Sequence, residues 1–305
     1  MRGVLPLVVG FVIGLLILTL LSEIYNETTT YFLLDFAVLF SILPFYYIRN
    51  TPKMFLFLIV IIAEFFYATF LYGTILYPFL QMFAIGTACG AVYRSGLEVL
   101  EREHRENRKI ETQRDLVHIL IGIIVLALFV FLNFYTTVYV LTTLILIGYI
   151  YNSALGNRKP GKLSGILKSL ERENVLYGLG AVYLGVGAAL LVGFIHNLHF
   201  VIIGVAALFF ADPIATIVGV NLNGPKLFYN KKKSLFGTLA FFAVVSLIGY
   251  PFIGYYSLLF GLGLAIIESM KFPIDDNIMI AIVMIVLYVL FLSLVHQLPS
   301  PLQVL

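Results

Sequence analysis

The chain has 305 residues, of which 61% are hydrophobic and 11% charged, with a formal net charge of +3. A soluble core of this length needs far less apolar sequence, and so small a positive charge makes no case for nucleic acid as a partner. A single cysteine, Cys89, rules out an intramolecular disulfide and a cysteine metal cluster.

Apolar windows of about 17–25 residues, separated by Gly, Pro, Asn and charge clusters, predict an all-α polytopic membrane protein with about eleven transmembrane helices. They fall near 3–21, 31–48, 54–72, 74–93, 116–134, 136–151, 175–194, 198–219, 236–250, 252–269 and 278–297. The first run follows Arg2 as a signal peptide would, but no small-residue cleavage site follows it, so it reads as a retained helix. The tight turns at 72–74 and 250–252 are the places where two short spans could be one re-entrant hairpin. When the connections are taken alternately, all 19 Lys and Arg fall on one side: Arg2, then 49–53, 94–115, 158–172, 226–233 and Lys271. The positive-inside rule makes that side cytoplasmic, with the amino terminus inside. The glycosylation acceptor at Asn26 falls on the opposite side, in keeping with this orientation.

Three sections follow from this pattern. Residues 1–93 form a four-helix amino-terminal membrane section with Glu64 in the middle of its third helix, and 94–115 form a charged cytoplasmic linker helix. Residues 116–305 form a seven-helix back section. The linker stretch from Arg94 to Arg114 carries six basic and five acidic residues, the composition of a solvated surface helix.

Four polar elements punctuate the back section, all on the cytoplasmic side. In the first, "ETQRDLVHILIG", Arg114 and His118 stand one turn apart, a clamp suited to a phosphate or a structural pair. In the second, Asp212 lies about 21 Å along a helix that starts near Leu198, and Pro213 disturbs the hydrogen bonding around Phe209. A carboxylate beside freed carbonyls suits a hard cation such as Mg2+, and it equally suits a packing kink with a snorkelling acid. In the third, Gly219, Gly224, Lys226, Lys231, Lys232, Lys233 and Ser234 precede a helix amino terminus. Exposed amides and ammonium groups there can bind phosphate, although juxtamembrane lysines also meet lipid headgroups. The fourth is "IIESMKFPIDDNIMI", where Glu268 ends one helix and Asp275, Asp276 and Asn277 open the next, as a cap or as further metal ligands. Two decoys fail. "GNRKPGKL" at 156–163 has Leu163 where a phosphate-binding loop needs Ser or Thr, and the glycines of "YGLGAVYLGVGAALLVG" fit helix packing better than a dinucleotide fingerprint.

These four elements, in this order over about residues 110 to 297, resemble the CTP-dependent polyisoprenoid kinases, comprising dolichol kinase, phytol kinase and the related CTP-dependent diacylglycerol kinase. Glu111, Arg114, His118 and Gly122 match the opening motif, with Asp115 in place of a lysine. Asp212, Ala215, Gly219, Lys233, Ser234 and Gly237 match the central motif, with Thr238 for its last serine. Glu268, Ser269, Asp275, Asp276 and Asn277 match the tail. Ala211, Pro213, Thr216, Val220 and Phe236 depart from the family pattern.

The resemblance implies transfer of the γ-phosphate of CTP to a long-chain isoprenoid alcohol at the cytoplasmic membrane face, a reaction governed by positioning and charge neutralisation. It implies Mg2+, or another divalent cation, on Asp212 with Asp275 or Asp276 and Asn277. It places the CTP phosphates on Arg114, Gly219, Lys231, Lys232, Lys233, Ser234 and Gly237, with Asp212, Glu268 or His118 taking the alcohol proton. The competing readings are a cytidylyltransferase that makes a CDP-lipid and a secondary transporter. Broken helices and intramembrane acids suit the latter, while the gathering of polar groups at one face and the lack of an inverted repeat count against it.

Overall fold

The computed structural model describes residues 108–134, 136–138, 140–141, 144, 179–222, 224–272 and 274–297, together with 81, 84 and 88. The expected spans at 3–21, 31–48 and 54–72, most of the one at 74–93, the linker up to 107, Glu64 and Cys89 lie outside the described residues. Among the described residues the protein is all-helical, with one isolated antiparallel bridge between Lys226 and Ser234. Seven helices are defined: α1 Arg108–Phe131, α2 Leu179–Phe194, α3 Leu198–Ala206, α4 Asp212–Asn221, α5 Leu235–Ile253, α6 Tyr256–Ser269 and α7 Asp276–Gln297. A π-helical turn, Ala207–Ala211, joins α3 to α4. Among the described residues, four stretches are long and apolar enough to cross a membrane: Arg114–Phe131, Leu198–Asn221, Leu235–Ile253 and Asp276–Leu294.

The chain divides into two compact units. The described part of the first comprises 81, 84, 88, 138–144 in part, 179–193 and 274–275. Its clearest element is α2, whose small residues leave Val186, Ala189, Leu191 and Val192 almost wholly buried, and Gln81 Nε2 donates to the carbonyl of Gly193 at 3.1 Å. The second unit holds α1 and α3 to α7.

In the second unit, α1 buries one stripe. Asp115, His118, Gly122, Val125 and Phe129 recur at alternating steps of three and four, and Leu116, Leu120, Ile123 and Ile124 on the other side are exposed. The buried stripe packs on α4 and the π-turn, and the close approach is at Gly122, where an added Cβ would meet Phe209 and the ring of Phe210. The helix runs from Arg108 through the boundary expected at 115/116, so the charged residues 108–115 and the apolar span are one helix.

The stretch 198–221 is the buried helix of this unit, with 61% of its apolar window covered, against 22–33% for the other three spans. Asn197 caps it by accepting from the amide of His199 at 2.9 Å. The disturbance expected at Pro213 takes the form of the π-turn, in which the amide of Asp212 donates to the carbonyl of Ala207 and the helix remains continuous. Proline has no amide hydrogen, and its ring crowds the carbonyl four residues back. The wider turn just ahead of it relieves that crowding.

At 250–252 α5 continues through Pro251 to Ile253, and α6 begins at Tyr256. Pro251 lies in the last turn of α5, and Gly254 reverses the chain at φ +57°, a conformation that suits a residue without Cβ. The α5 and α6 backbones then approach closely, because an added Cβ on Gly249 would lie 3.0 Å from Cβ of Ser257, and one on Gly261 would meet the Ser246 hydroxyl. This is the small-residue packing expected between helices in lipid, where apolar side chains gain little from leaving the bilayer. Toward the same end, Phe200 of α3 stacks at 4.9–5.4 Å on Phe260, Tyr288 and Phe291, fastening α3 to α6 and α7. The opposite end of the unit holds the polar elements.

Candidate functional site

Three helices bring one acid each to this polar end. Asp212 is the first residue of α4, directly after the π-turn; Glu268 is in the last turn of α6; Asp276 is the first residue of α7. One carboxylate oxygen of each lies within 4.8 Å of the others. Glu268 is 2% exposed, whereas Asp212 and Asp276 are half-buried.

The cation that meets them is Lys233. Its ammonium donates to Glu268 Oε1 and, at 3.2 Å, to Asp276 Oδ2. Burial by itself would lower the pKa of Lys233, but the charges of Asp276, Glu268 and Asp212 outweigh it and hold the group above the usual lysine range. With all three acids ionised, the cluster keeps two uncompensated negative charges after Lys233 is counted. An all-oxygen donor set of that charge fits a hard divalent cation such as Mg2+.

Lys233 is held in place by a hairpin between α4 and α5. Its ladder consists of Leu227 N donating to the Lys233 carbonyl at 3.2 Å and Leu235 N to the Pro225 carbonyl at 2.9 Å. At the turn, Asn230 is buried and bonds through both the oxygen and the nitrogen of its side-chain amide. Its Oδ1 accepts from Lys232 N at 3.2 Å in an Asx turn, and its Nδ2 donates to the carbonyl of Ser269 at 3.0 Å. Its own carbonyl accepts from Lys233 N at 3.1 Å. The hydroxyls of Tyr229 and Ser269 are 2.7 Å apart. The lysine hairpin is thus tied to the residue following Glu268, and this tie brings Lys233 to the acids.

The other expected site residues have varied surroundings. Ser234 is the amino-terminal cap of α5, accepting from Gly237 N at 3.2 Å. Gly219 and Gly237 form the crossing of α4 and α5, where an added Cβ on Gly237 would stand 2.7 Å from the Ala215 carbonyl oxygen and one on Gly219 would stand 2.9 Å from Ser234 Oγ. Lys231 and Lys232 are exposed on the hairpin. Arg114 pairs with the neighbouring buried Asp115 at 3.6 Å, and His118 is buried on the same face of α1. Asn277 is buried at the start of α7. Asp275 is grouped with the first unit and is not one of the three clustered acids; Glu268, expected as a proton acceptor, stands in the cluster instead.

Comparison with known proteins adds one relative. An uncharacterized protein of Methanocaldococcus jannaschii is 35% identical over 118 residues, which is 38% of this chain and 60% of the relative, so the match spans less than two thirds of that protein. No family model matches the chain. No solved structure matches it either.

Two parts of the site escaped the sequence reading. Asn230 and Tyr229 sit in "FYNKKKS", where an asparagine ahead of three lysines is a turn signal, but nothing local points to Ser269, 39 residues on. The Arg114–Asp115 pair was missed because adjacent residues on a helix point about 100° apart and are not normally read as partners.

Proposed function

We propose that this protein is a CTP-dependent kinase of a membrane isoprenoid alcohol, of the dolichol/polyprenol or phytol/geranylgeraniol type, acting at the cytoplasmic face. The observation that carries this reading is the meeting of Asp212, Glu268 and Asp276 around Lys233. Phosphoryl transfer needs charge neutralisation and alignment more than covalent chemistry, and an acid trio beside a fixed ammonium offers both. CTP as donor and the alcohol as acceptor come from the family resemblance, and the cytoplasmic assignment from the one-sided lysines and arginines.

In this reading Asp212, Glu268 and Asp276 are the ligands for Mg2+, which when bound would screen the nucleotide phosphates and align the γ-phosphoryl group. Lys233 faces the same phosphates and neutralises the charge that grows on the leaving CDP. The alcohol oxygen attacks the γ-phosphorus, the bond to the β-phosphate oxygen breaks, and the alcohol proton passes to a carboxylate of the cluster. Asp212 is our first choice for that acceptor, because it belongs to a spanning helix beside which an isoprenoid tail can lie, with Glu268 of the same cluster or His118 on the facing helix as the other candidates.

The test is incubation of membranes containing the chain with γ-labelled CTP and a panel of polyprenols, phytol, geranylgeraniol and diacylglycerols, together with phosphatidate as the acceptor a cytidylyltransferase would need. Labelled lipid together with CDP supports the kinase and names its acceptor. Labelled pyrophosphate together with an unlabelled CDP-lipid assigns the protein to the cytidylyltransferases, and no product with any acceptor rejects both.

A further inference from the structure

The hairpin that delivers Lys233 has a second surface. It joins two stretches that are each long and apolar enough to span the bilayer, Leu198–Asn221 and Leu235–Ile253, so the chain between them is held at the membrane–water boundary. At its tip Phe228 is 92% exposed, in edge contact with Tyr229 at 4.8 Å between ring centroids. Lys226, Lys231 and Lys232 are exposed around it. The tip is a fixed shape, since the ladder, the Asx turn and the two ties to Ser269 set its backbone.

An aromatic ring fully presented to solvent, fixed at bilayer height and ringed by three ammonium groups, is the pattern that seats an apolar body at the acyl boundary and cations among lipid phosphates. Lys233 is neutralised within the acid cluster, while the exposed Lys231 and Lys226, whose ammonium also donates to the Lys232 carbonyl at 3.4 Å, carry positive charge on the outer side of the hairpin. Exposed Leu235 and Phe236 at the start of α5 continue the apolar surface from the hairpin toward the hydrocarbon. We propose that this hairpin binds the anionic phospholipid surface of the bilayer that holds the protein, with Phe228 inserted at the headgroup boundary and Lys226, Lys231 and Lys232 against headgroup phosphates. The proposal does not depend on which reaction the acid cluster serves.

The chain contains no tryptophan, so Phe228→Trp supplies a single reporter at an exposed position. The full chain carrying this substitution is reconstituted into phosphatidylcholine vesicles with and without phosphatidylglycerol. The expected result is an indole emission that moves to shorter wavelength with phosphatidylglycerol and is quenched by lipids brominated near the headgroup. One molar salt should reverse the shift, and so should the added triple substitution K226Q/K231Q/K232Q. Native mass spectrometry of the unmodified chain gives an independent reading: it should retain phosphatidylglycerol over phosphatidylcholine, and each lysine removed should reduce that preference by about fivefold. A water-like emission in both membranes overturns the proposal, as does a blue shift indifferent to lipid charge and to the lysines. A response to inorganic phosphate or CTP in neutral vesicles also overturns it, by assigning the lysines to a soluble phosphate ligand. Equal retention of the two lipids by the unmodified chain counts against it even if the tryptophan variant does not fold.

Discussion

Lys233 stands just before the amino terminus of α5 and Glu268 in the last turn of α6, so each charge occupies the helix end whose dipole opposes it, and the two neutralise one another. Neither would be a good choice for its own helix. No basic residue in the last turn of α6 offsets Glu268, so the compensation comes from a residue 35 positions earlier in the chain.

Breaking this pair from one side should therefore be costly. Lys233→Met leaves Glu268 buried beside Asp212 and Asp276 without its counter-ion, and the expected loss is about 3 kcal/mol, the lower end for a buried pair because Lys233 is a quarter exposed. The double variant K233M/E268Q should regain most of it. Thermal unfolding of the purified chain in detergent checks both. The sign with pH follows from the raised pKa of Lys233: its contribution is complete below the ordinary lysine range and is lost only as pH rises through the folded-state value, so the ammonium persists across neutral pH.

Asp212→Asn removes one oxygen donor of the acid trio while keeping size and helix position. Lipid phosphorylation in washed membranes should fall by at least about 100-fold with expression intact. Near-normal turnover would remove Asp212 from the proposed chemistry.

Divalent metal should stabilise the unmodified chain. At a concentration of Mg2+ or Mn2+ 100 times its Kd, the expected gain is about 2.7 kcal/mol, reversed by chelator and missing from Asp276→Asn. An identical shift in wild type and Asp276→Asn would place the metal elsewhere.

Asn230→Ala should loosen the lysine hairpin without touching the acids. Loss of its bonds to Ser269 and Lys232 should cost about 1–3 kcal/mol, and in the proposed reaction it should raise KM for CTP more than it lowers kcat. Asn230→Asp keeps the acceptor of the Asx turn but not the donor to Ser269, so it should fall between the two. Steady-state kinetics in membranes distinguishes this positioning effect from general unfolding, which would lower the amount of active protein at unchanged KM.

Much of the second unit was legible from apolar length. The spans expected at 198–219, 236–250 and 278–297 appear as 198–221, 235–253 and 276–297, because hydrophobic runs and their polar ends are local signals. The start of α1 is not marked by hydropathy for the same reason: "RKIETQRD" is helical but not apolar, so a hydropathy boundary falls inside a continuous helix. The acids were individually visible as charges at the ends of apolar runs. Which of Asp275 and Asp276 joins Asp212 was not, since consecutive residues at a helix start diverge by about 100° and only the docking of α7 chooses between them. The proximity of Glu268 to Asp212 depends on how α6 packs, which no short stretch of sequence records.

The π-turn before Asp212 acts as a phase shifter. Inserting one extra position into an α-helix advances everything beyond it by about 100° around the axis, which sets the direction of every side chain in α4 relative to α3. Shortening the Ala207–Ala211 turn by a single residue would restore a uniform screw and carry the carboxylate at 212 away from Glu268 and Asp276 without altering any of the three acids.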